Sequence, residues 1–326
     1  MQGKAIVTGA SGFIGSRLRE RLLKDGIDVL AIRRPGSPPA KQGRSVEASY
    51  EDLSKLRAIV SEEKPNYLFH VAGATKGVHY SDFERANVLP TENLVEACNA
   101  SGHNLERFVL VSSLAAFGPS GLNWEHDESS EARPIEFYGR SKLAAERVLQ
   151  EKGSDLPWTI VRPSGVYGPG DVDYFQLFKA VARRVNVFFG NRERLFSAVY
   201  VDDLIDALVQ AAESPKSVGK GYFISDGKPV TWQHFQDEII RAGKKRTLTL
   251  NLPEALVYVA AFGGEFLSRF DGKPRLFNRQ KAAMGAQDAW TCSPSAAHRD
   301  FNFNPKISVP KGVELAFQWY QDQGWI

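Results

Sequence analysis

From its first residues the chain alternates short apolar runs with longer amphipathic ones. Apolar stretches over Lys4–Thr8, Val29–Arg33, Ser45–Ala48, Tyr67–Val71, Phe108–Ser112 and Trp158–Arg162 have the length and character of buried strands. Between them, apolar residues recur at helical spacing from about Phe13 to Asp25, Leu53 to Val60, Phe83 to Ser101 and Tyr138 to Lys152. This succession predicts an α/β fold of the Rossmann type: a doubly wound parallel sheet with helices on both faces and ligands beyond the carboxyl ends of its strands.

After Arg162 the regularity loosens, which predicts a smaller C-terminal substrate-binding lobe. The stretch 196–214 reads as a strand followed by a helix that returns to the large domain. The expected division is a dinucleotide-binding domain over 1–163 with a returning segment near 196–226, and a lobe formed by 164–195 and 227–326. In residues 252–270, Leu256, Val259, Ala260, Phe266, Leu267 and Phe270 fall near one helical face. That face is expected to pack on the lobe core, with apolar substrate or weak membrane-surface contact as the alternative; Glu265 and Arg269 rule out a bilayer span.

Composition adds limits. A chain of 326 residues, 43% of them hydrophobic, can bury a large core. Its formal charge of +3 is spread thinly, with no dense Lys/Arg block, so nucleic acid is not an expected partner. Cys98 and Cys292 suggest neither a disulfide framework nor a metal cluster, so no metal is expected and a cytoplasmic setting fits best. No signal peptide and no apolar run near 18 residues are evident.

Three stretches carry candidate chemistry. In "AIVTGASGFIGSRL" (5–18), Gly9, Gly12 and Gly15 sit between a strand and a helix, where absent side chains let the backbone approach a pyrophosphate and the helix N-terminus offers free N–H groups. A glycine triplet alone is a weak sign; its placement favours a nucleotide cradle over a plain tight turn. The second strand ends in Arg33 and Arg34 where NAD enzymes usually carry an acid, so NADP(H) is favoured over NAD(H), against the alternative of a solvated basic turn. In "YGRSK" (138–142), Tyr138 and Lys142 share one helical face.

Together, "TGASGFIG", "HVAGA" (70–74), "VSS" (111–113), "YGRSK" and "VRPSGVYGP" (161–169) resemble the extended short-chain dehydrogenase/reductase family, the NAD-dependent epimerase/dehydratase superfamily, over the first two thirds of the chain. More loosely, 272–284 and 293–325 resemble its branch of 3β-hydroxysteroid dehydrogenases and dihydroflavonol reductase-like enzymes. The resemblance implies that Tyr138 is the general acid/base, that Lys142 holds the nicotinamide ribose and lowers the phenol's pKa, and that Ser113 hydrogen-bonds the reacting oxygen. It further implies cofactor contacts from Gly9, Ser11, Gly12, Phe13, Ile14, Gly15, Arg33, Arg34, Ala72, Gly73, Ala74, Asn87, Val111, Pro163, Gly165 and Val166. For Asn87 a helix N-cap is the alternative.

Substrate-facing positions are expected at Thr75, Ser113, Ala115, Phe117, Tyr174 and Tyr200, with Phe175, Phe178 and Phe262 as further apolar walls, each more often core than pocket. A homodimer paired through the helices at 83–101 and 138–152 is the family habit. There are departures: Ser49 stands where many relatives have an Asp beside the adenine, Gly165 where sugar-nucleotide epimerases often have Asn, and Tyr200 where many have His. The expected function is hydride transfer between NADP(H) and a secondary alcohol or ketone on an apolar, steroid- or flavonoid-like small molecule. One alternative is a nucleotide-sugar epimerase/dehydratase with tightly held NAD(P), in which Arg183, Arg184, Arg192, Arg194 and Arg275 could meet a diphosphate. Another is a nucleotide-binding regulatory protein without turnover, which the retained Ser113, Tyr138 and Lys142 disfavour.

Overall fold

Strands β1 (Lys4–Thr8), β2 (Asp28–Arg33), β3 (Arg44–Glu47), β4 (Tyr67–His70), β5 (Arg107–Val111) and β6 (Trp158–Pro163) follow the predicted apolar runs to within a residue at each end. The computed structural model describes residues 1–37, 42–256 and 279–326. Phe262, Arg275 and most of the expected helix at 252–270 therefore lie outside the described residues.

Alternation along these strands divides the interior in two. On one side, Ala5, Val7, Val29, Ala31 and Phe69 meet Leu18 and Leu22 of α1 (Phe13–Lys24). On the other, Ile6, Leu30, Ile32 and Leu68 meet α2 (Leu53–Glu63), which runs three residues beyond its predicted end and closes on Lys64 in the left-handed conformation. Both faces of the sheet are thus covered, which is why the strands read as nearly continuous apolar runs.

The helix predicted from Phe83 to Ser101 is broken instead into α3 (Tyr80–Phe83), a π-helical turn (Glu84–Val88) and α4 (Leu89–Ala100). Pro90 has no N–H to continue the ladder, and Leu89 N–H reaches back five residues to the Glu84 carbonyl. The widened turn carries Asn87 into the interior, where it is 2% exposed. The helix α5 (Phe137–Lys152) begins one residue before its predicted start.

Beyond β6, the chain forms β7 (Gly165–Tyr167), α6 (Phe175–Ala182), β8 (Val185–Phe189), β9 (Leu195–Phe196), β10 (Ala198–Tyr200) and α7 (Val201–Glu213). In the stretch 196–214, β10 pairs with β7 and α7 packs Leu204, Ile205 and Leu208 on the core of the large sheet, which β11 (Lys220–Ile224) joins by pairing with β6. The seven-stranded parallel sheet has the order β11-β6-β5-β4-β1-β2-β3, reversing direction between β1 and β4, where ligand crevices form.

The chain continues through β12 (Val230–Thr231), α8 (Trp232–Gly243) and β13 (Leu248–Leu252) to a C-terminal helix (Val309–Asp322). Tyr167, Phe178, Phe235, Phe317 and Tyr320 form a separate aromatic core there. No helix among the described residues is long and apolar enough to cross a membrane.

Candidate active site

The glycine corner follows directly from β1. Gly9 has φ +68°, and a Cβ on it would lie 2.7 Å from Ala72 N; a Cβ on Gly15 would lie 2.2 Å from the Gly9 carbonyl oxygen. Both approaches need glycine. Gly12 occupies the N-cap of α1 without any side-chain cap, and no acid sits in the first turn, so the helix end keeps its N–H groups and positive potential for an anion. Ser11, Gly12 and Phe13 line a cavity of about 330 Å³ with Ser16, Arg17, Glu20, Pro169, Gly170 and Trp319. This cradle fits a dinucleotide pyrophosphate.

Polar groups hold the corner in place. Tyr50 Oη accepts from Gly9 N–H (3.1 Å) and donates to the Ile32 carbonyl (2.8 Å), tying β1 to β2. Thr8 Oγ1 accepts from the N–H groups of Val71 and Ala72 and meets His70 Nδ1 at 2.8 Å. His70 Nε2 lies 3.1 Å from Thr91 Oγ1, which itself donates to the Asn87 carbonyl. That fixes Nε2 as the protonated nitrogen and Nδ1 as acceptor. Burial depresses His70 to about 3, so the ring is neutral.

Asn87 is not the helix cap weighed from sequence. Its Oδ1 accepts from Ala74 N–H (2.7 Å), while Nδ2 donates to the Ala74 carbonyl (3.1 Å) and to Ser141 Oγ (2.8 Å). It therefore clamps the loop of Ala72, Gly73 and Ala74 onto α5. A Cβ on Gly73 would lie 2.8 Å from Asn87 Oδ1 and 3.6 Å from Lys142 Nζ.

The start of α5 is anchored twice. Glu136 accepts from the N–H groups of Tyr138 and Gly139, both at 2.6 Å, and Gln280 accepts from Phe137 N–H at 2.9 Å. A Cβ on Gly139 would lie 2.1 Å from the Ala115 carbonyl oxygen, so "YGRSK" needs its glycine for α5 to close on the segment after β5. Tyr138 and Lys142 then project from one face, with Ser113 acting on the phenol. Burial pushes Tyr138 up to about 12, Ser113 opposing, and pulls Lys142 down to about 8. Lys142 Nζ donates to the Val111 carbonyl at 2.6 Å. Desolvation by burial is the largest influence on the phenol here, with the Ser113 hydroxyl acting against it.

Behind this face, one turn beyond Lys142, is a pair that sequence reasoning missed. The Glu146 carboxylate accepts from Arg162 Nε (3.0 and 3.1 Å) and Nη2 (2.8 Å), and from the Ser112 hydroxyl. Its side chain is 2% exposed and that of Arg162 7%. Arg162 stacks on Phe117 at 4.6 Å, so Phe117 is buried beneath a guanidinium and does not face substrate. Phe175 and Phe178 pack on Tyr320, and Tyr200 on Tyr167, so these expected walls belong to the lobe core. Thr75 and Ala115 flank the site on the loops after β4 and β5, Ala115 being buried.

Tyr174 is stacked with Phe196 and Trp232, and a Cβ on Gly165 would lie 2.2 Å from its hydroxyl. The phenol thus fills the space a side chain at 165 would use, between Pro163 at the end of β6 and Val166 in β7 along the chain. Arg33 is held by Glu47 (2.5 Å) and the Ser37 carbonyl (2.8 Å), with Arg34 exposed next to it.

Glu136 was not legible because N-caps are usually Ser, Thr, Asp or Asn. Glu136→Ala is expected to cost about 1–2 kcal/mol, measurable as a lowered urea midpoint.

The family model for the NAD dependent epimerase/dehydratase family matches residues 5–225. The chain is 29% identical to a ceramide reductase of Caulobacter vibrioides, over all of this chain and 96% of that one. It is 27% identical to a 3-beta-hydroxysteroid dehydrogenase of Mycolicibacterium neoaurum, over 98% of this chain and 92% of that one. In fold it is similar to the UDP-glucose 4-epimerase of Thermotoga maritima, with a TM-score of 0.79 at 22% identity, over 98% and 99% of the two chains. With its glycine corner, its parallel sheet and this match, the chain belongs to the NAD dependent epimerase/dehydratase family, the extended short-chain dehydrogenases/reductases, as an NAD(P)-dependent oxidoreductase.

Proposed function

We propose that the protein reduces a ketone on a bulky apolar substrate to a secondary alcohol, with NADPH as the preferred cofactor. The reading is carried by the Ser113 hydroxyl acting on the Tyr138 phenol, with Lys142 one turn along the same helix anchored on Val111 at the end of β5. Bound nicotinamide supplies the hydride; the protein's own groups handle the proton and the orientation. A phenol with a pKa near 12 is protonated at neutral pH, ready to give its proton to the oxygen of a carbonyl as it becomes an alkoxide. Ser113 orients that oxygen, and Lys142, anchored on Val111, presents its ammonium to the nicotinamide ribose.

The names of the two relatives, a ceramide reductase and a 3-beta-hydroxysteroid dehydrogenase, support a lipid-like ketone or alcohol. Tyr174 over Gly165 favours the same side, since it fills the place where sugar-nucleotide epimerases often carry Asn. The test is stoichiometry: purified protein with long-chain and steroid ketones should consume one NADPH per alcohol formed. Interconversion of sugar nucleotides without net cofactor oxidation would refute the reading in favour of an epimerase.

NADPH preference rests on Arg33 and Arg34. Glu47 holds Arg33 beside the end of β2, so a 2′-phosphate would take over one arm of an existing pair. Arg33→Ala is expected to raise KM for NADPH by about tenfold and leave that for NADH nearly unchanged, read from initial rates with each cofactor.

A further inference from the structure

Strands β8 and β13 pair in parallel, with Leu248 opposite Val185, Leu250 opposite Val187 and Leu252 opposite Phe189. Burial alternates along β8: Asn186 and Phe188 are 3% and 4% exposed and point into the lobe, which puts Val185 and Val187 on the other face. Paired residues share a face, so Leu248, Leu250 and Leu252 join them, while polar Thr249 and Asn251 alternate away. The apolar residues of both strands thus share the face opposite Asn186 and Phe188, while Thr249 and Asn251 on the other face of β13 are exposed as well. Leu248 is 64% exposed and Leu250 38%.

Parallel pairing has a second effect. Arg183 and Arg184 immediately precede β8, and Lys244, Lys245 and Arg246 lie just before β13, so both basic runs meet at the same end of the two-stranded sheet. Leu248 N–H donates to the Arg184 carbonyl at 2.9 Å, and Lys245 Nζ to the Ala182 carbonyl at 3.2 Å. All five cationic residues are exposed, and Arg183, Arg184, Lys245 and Arg246 form no ion pair among the described residues. The most exposed leucine adjoins these cations.

From this we infer that the β8–β13 face is a docking surface for an anionic lipid bilayer. The leucines enter the boundary between headgroups and acyl chains, and the five cations meet lipid phosphates at one end of the strip. Charge complementarity argues for this occupant, because an anionic surface neutralises the five cations gathered at one end of the strip.

Cosedimentation of the full chain with vesicles tests it. Binding to phosphatidylglycerol/phosphatidylcholine vesicles is expected to exceed binding to pure phosphatidylcholine by about tenfold or more and to weaken as salt rises. Leu248→Asp/Leu250→Asp and, separately, Arg183→Glu/Arg246→Glu should each lower it by about tenfold or more, with thermal midpoint and cofactor affinity as folding controls. The charge-reversal pair decides the matter if the leucine pair fails to fold. Absence of binding by the unmodified protein, equal binding to both vesicle types, or vesicle binding unaltered in the charge-reversal pair would overturn the inference. Loss of a dimer instead, seen by light scattering, would overturn it in favour of a second copy.

Discussion

Tyr138→Phe is expected to lower kcat for ketone reduction by about a thousandfold while cofactor affinity stays within about twofold. The substitution removes one oxygen and leaves the rest of its surroundings. The ring keeps its tilted contact with Phe83 at 6.5 Å, and Glu136 still receives the backbone N–H groups of residues 138 and 139. The cofactor cradle at Gly9, Gly12 and Gly15 is built from other elements. Ser113 cannot take over, because a serine hydroxyl is a weaker acid than a phenol. Fluorescence titration with NADPH beside steady-state rates separates the two quantities. A rate within tenfold of the unmodified enzyme would remove Tyr138 from the chemistry.

The second large effect is on stability. Glu146→Ala is expected to cost about 3–5 kcal/mol, because it leaves the Arg162 guanidinium buried with no carboxylate bonded to it. Stacking on Phe117 and Phe223 does not replace those bonds, and Gly221 packs so closely on Arg162 that a Cβ there would lie 2.5 Å from it. The double substitution Glu146→Ala/Arg162→Met removes the stranded charge and should recover much of the loss. Urea unfolding of the two variants against the parent measures both. Turnover reads a separate consequence: Glu146 favours the charged form of Lys142, so the single variant also weakens the ammonium proposed to hold the nicotinamide ribose.

Much of the scaffold was legible because parallel strands buried on both faces leave nearly unbroken apolar runs, and because glycines at a close approach cannot be replaced. Gly9 and Gly15 show that directly. Helix continuity was less legible: the helical periodicity runs through Asn87, and nothing local shows that Pro90 will widen the turn before it. Aromatic residues misled for a different reason. Phe117 and Phe178 carry the same side-chain chemistry whether they line a cavity or fill a core, and only the arrangement of Arg162 and Tyr320 decides. The cationic neighbour four residues from Tyr138 is legible in the sequence, whereas desolvation of the phenol is a property of the whole assembly. Likewise, basic residues spread thinly along the sequence become a cluster once β8 and β13 run side by side.

The tight fit of Tyr174 over Gly165 also constrains how the enzyme could evolve. Its ring is wedged among Phe196, Trp232 and Phe235, so the hydroxyl has little freedom to withdraw. An asparagine introduced at 165 first would collide with it, whereas one introduced after Tyr174 has been trimmed would find room. The order of the two changes matters, and descent toward sugar-nucleotide chemistry has one passable route and one blocked one.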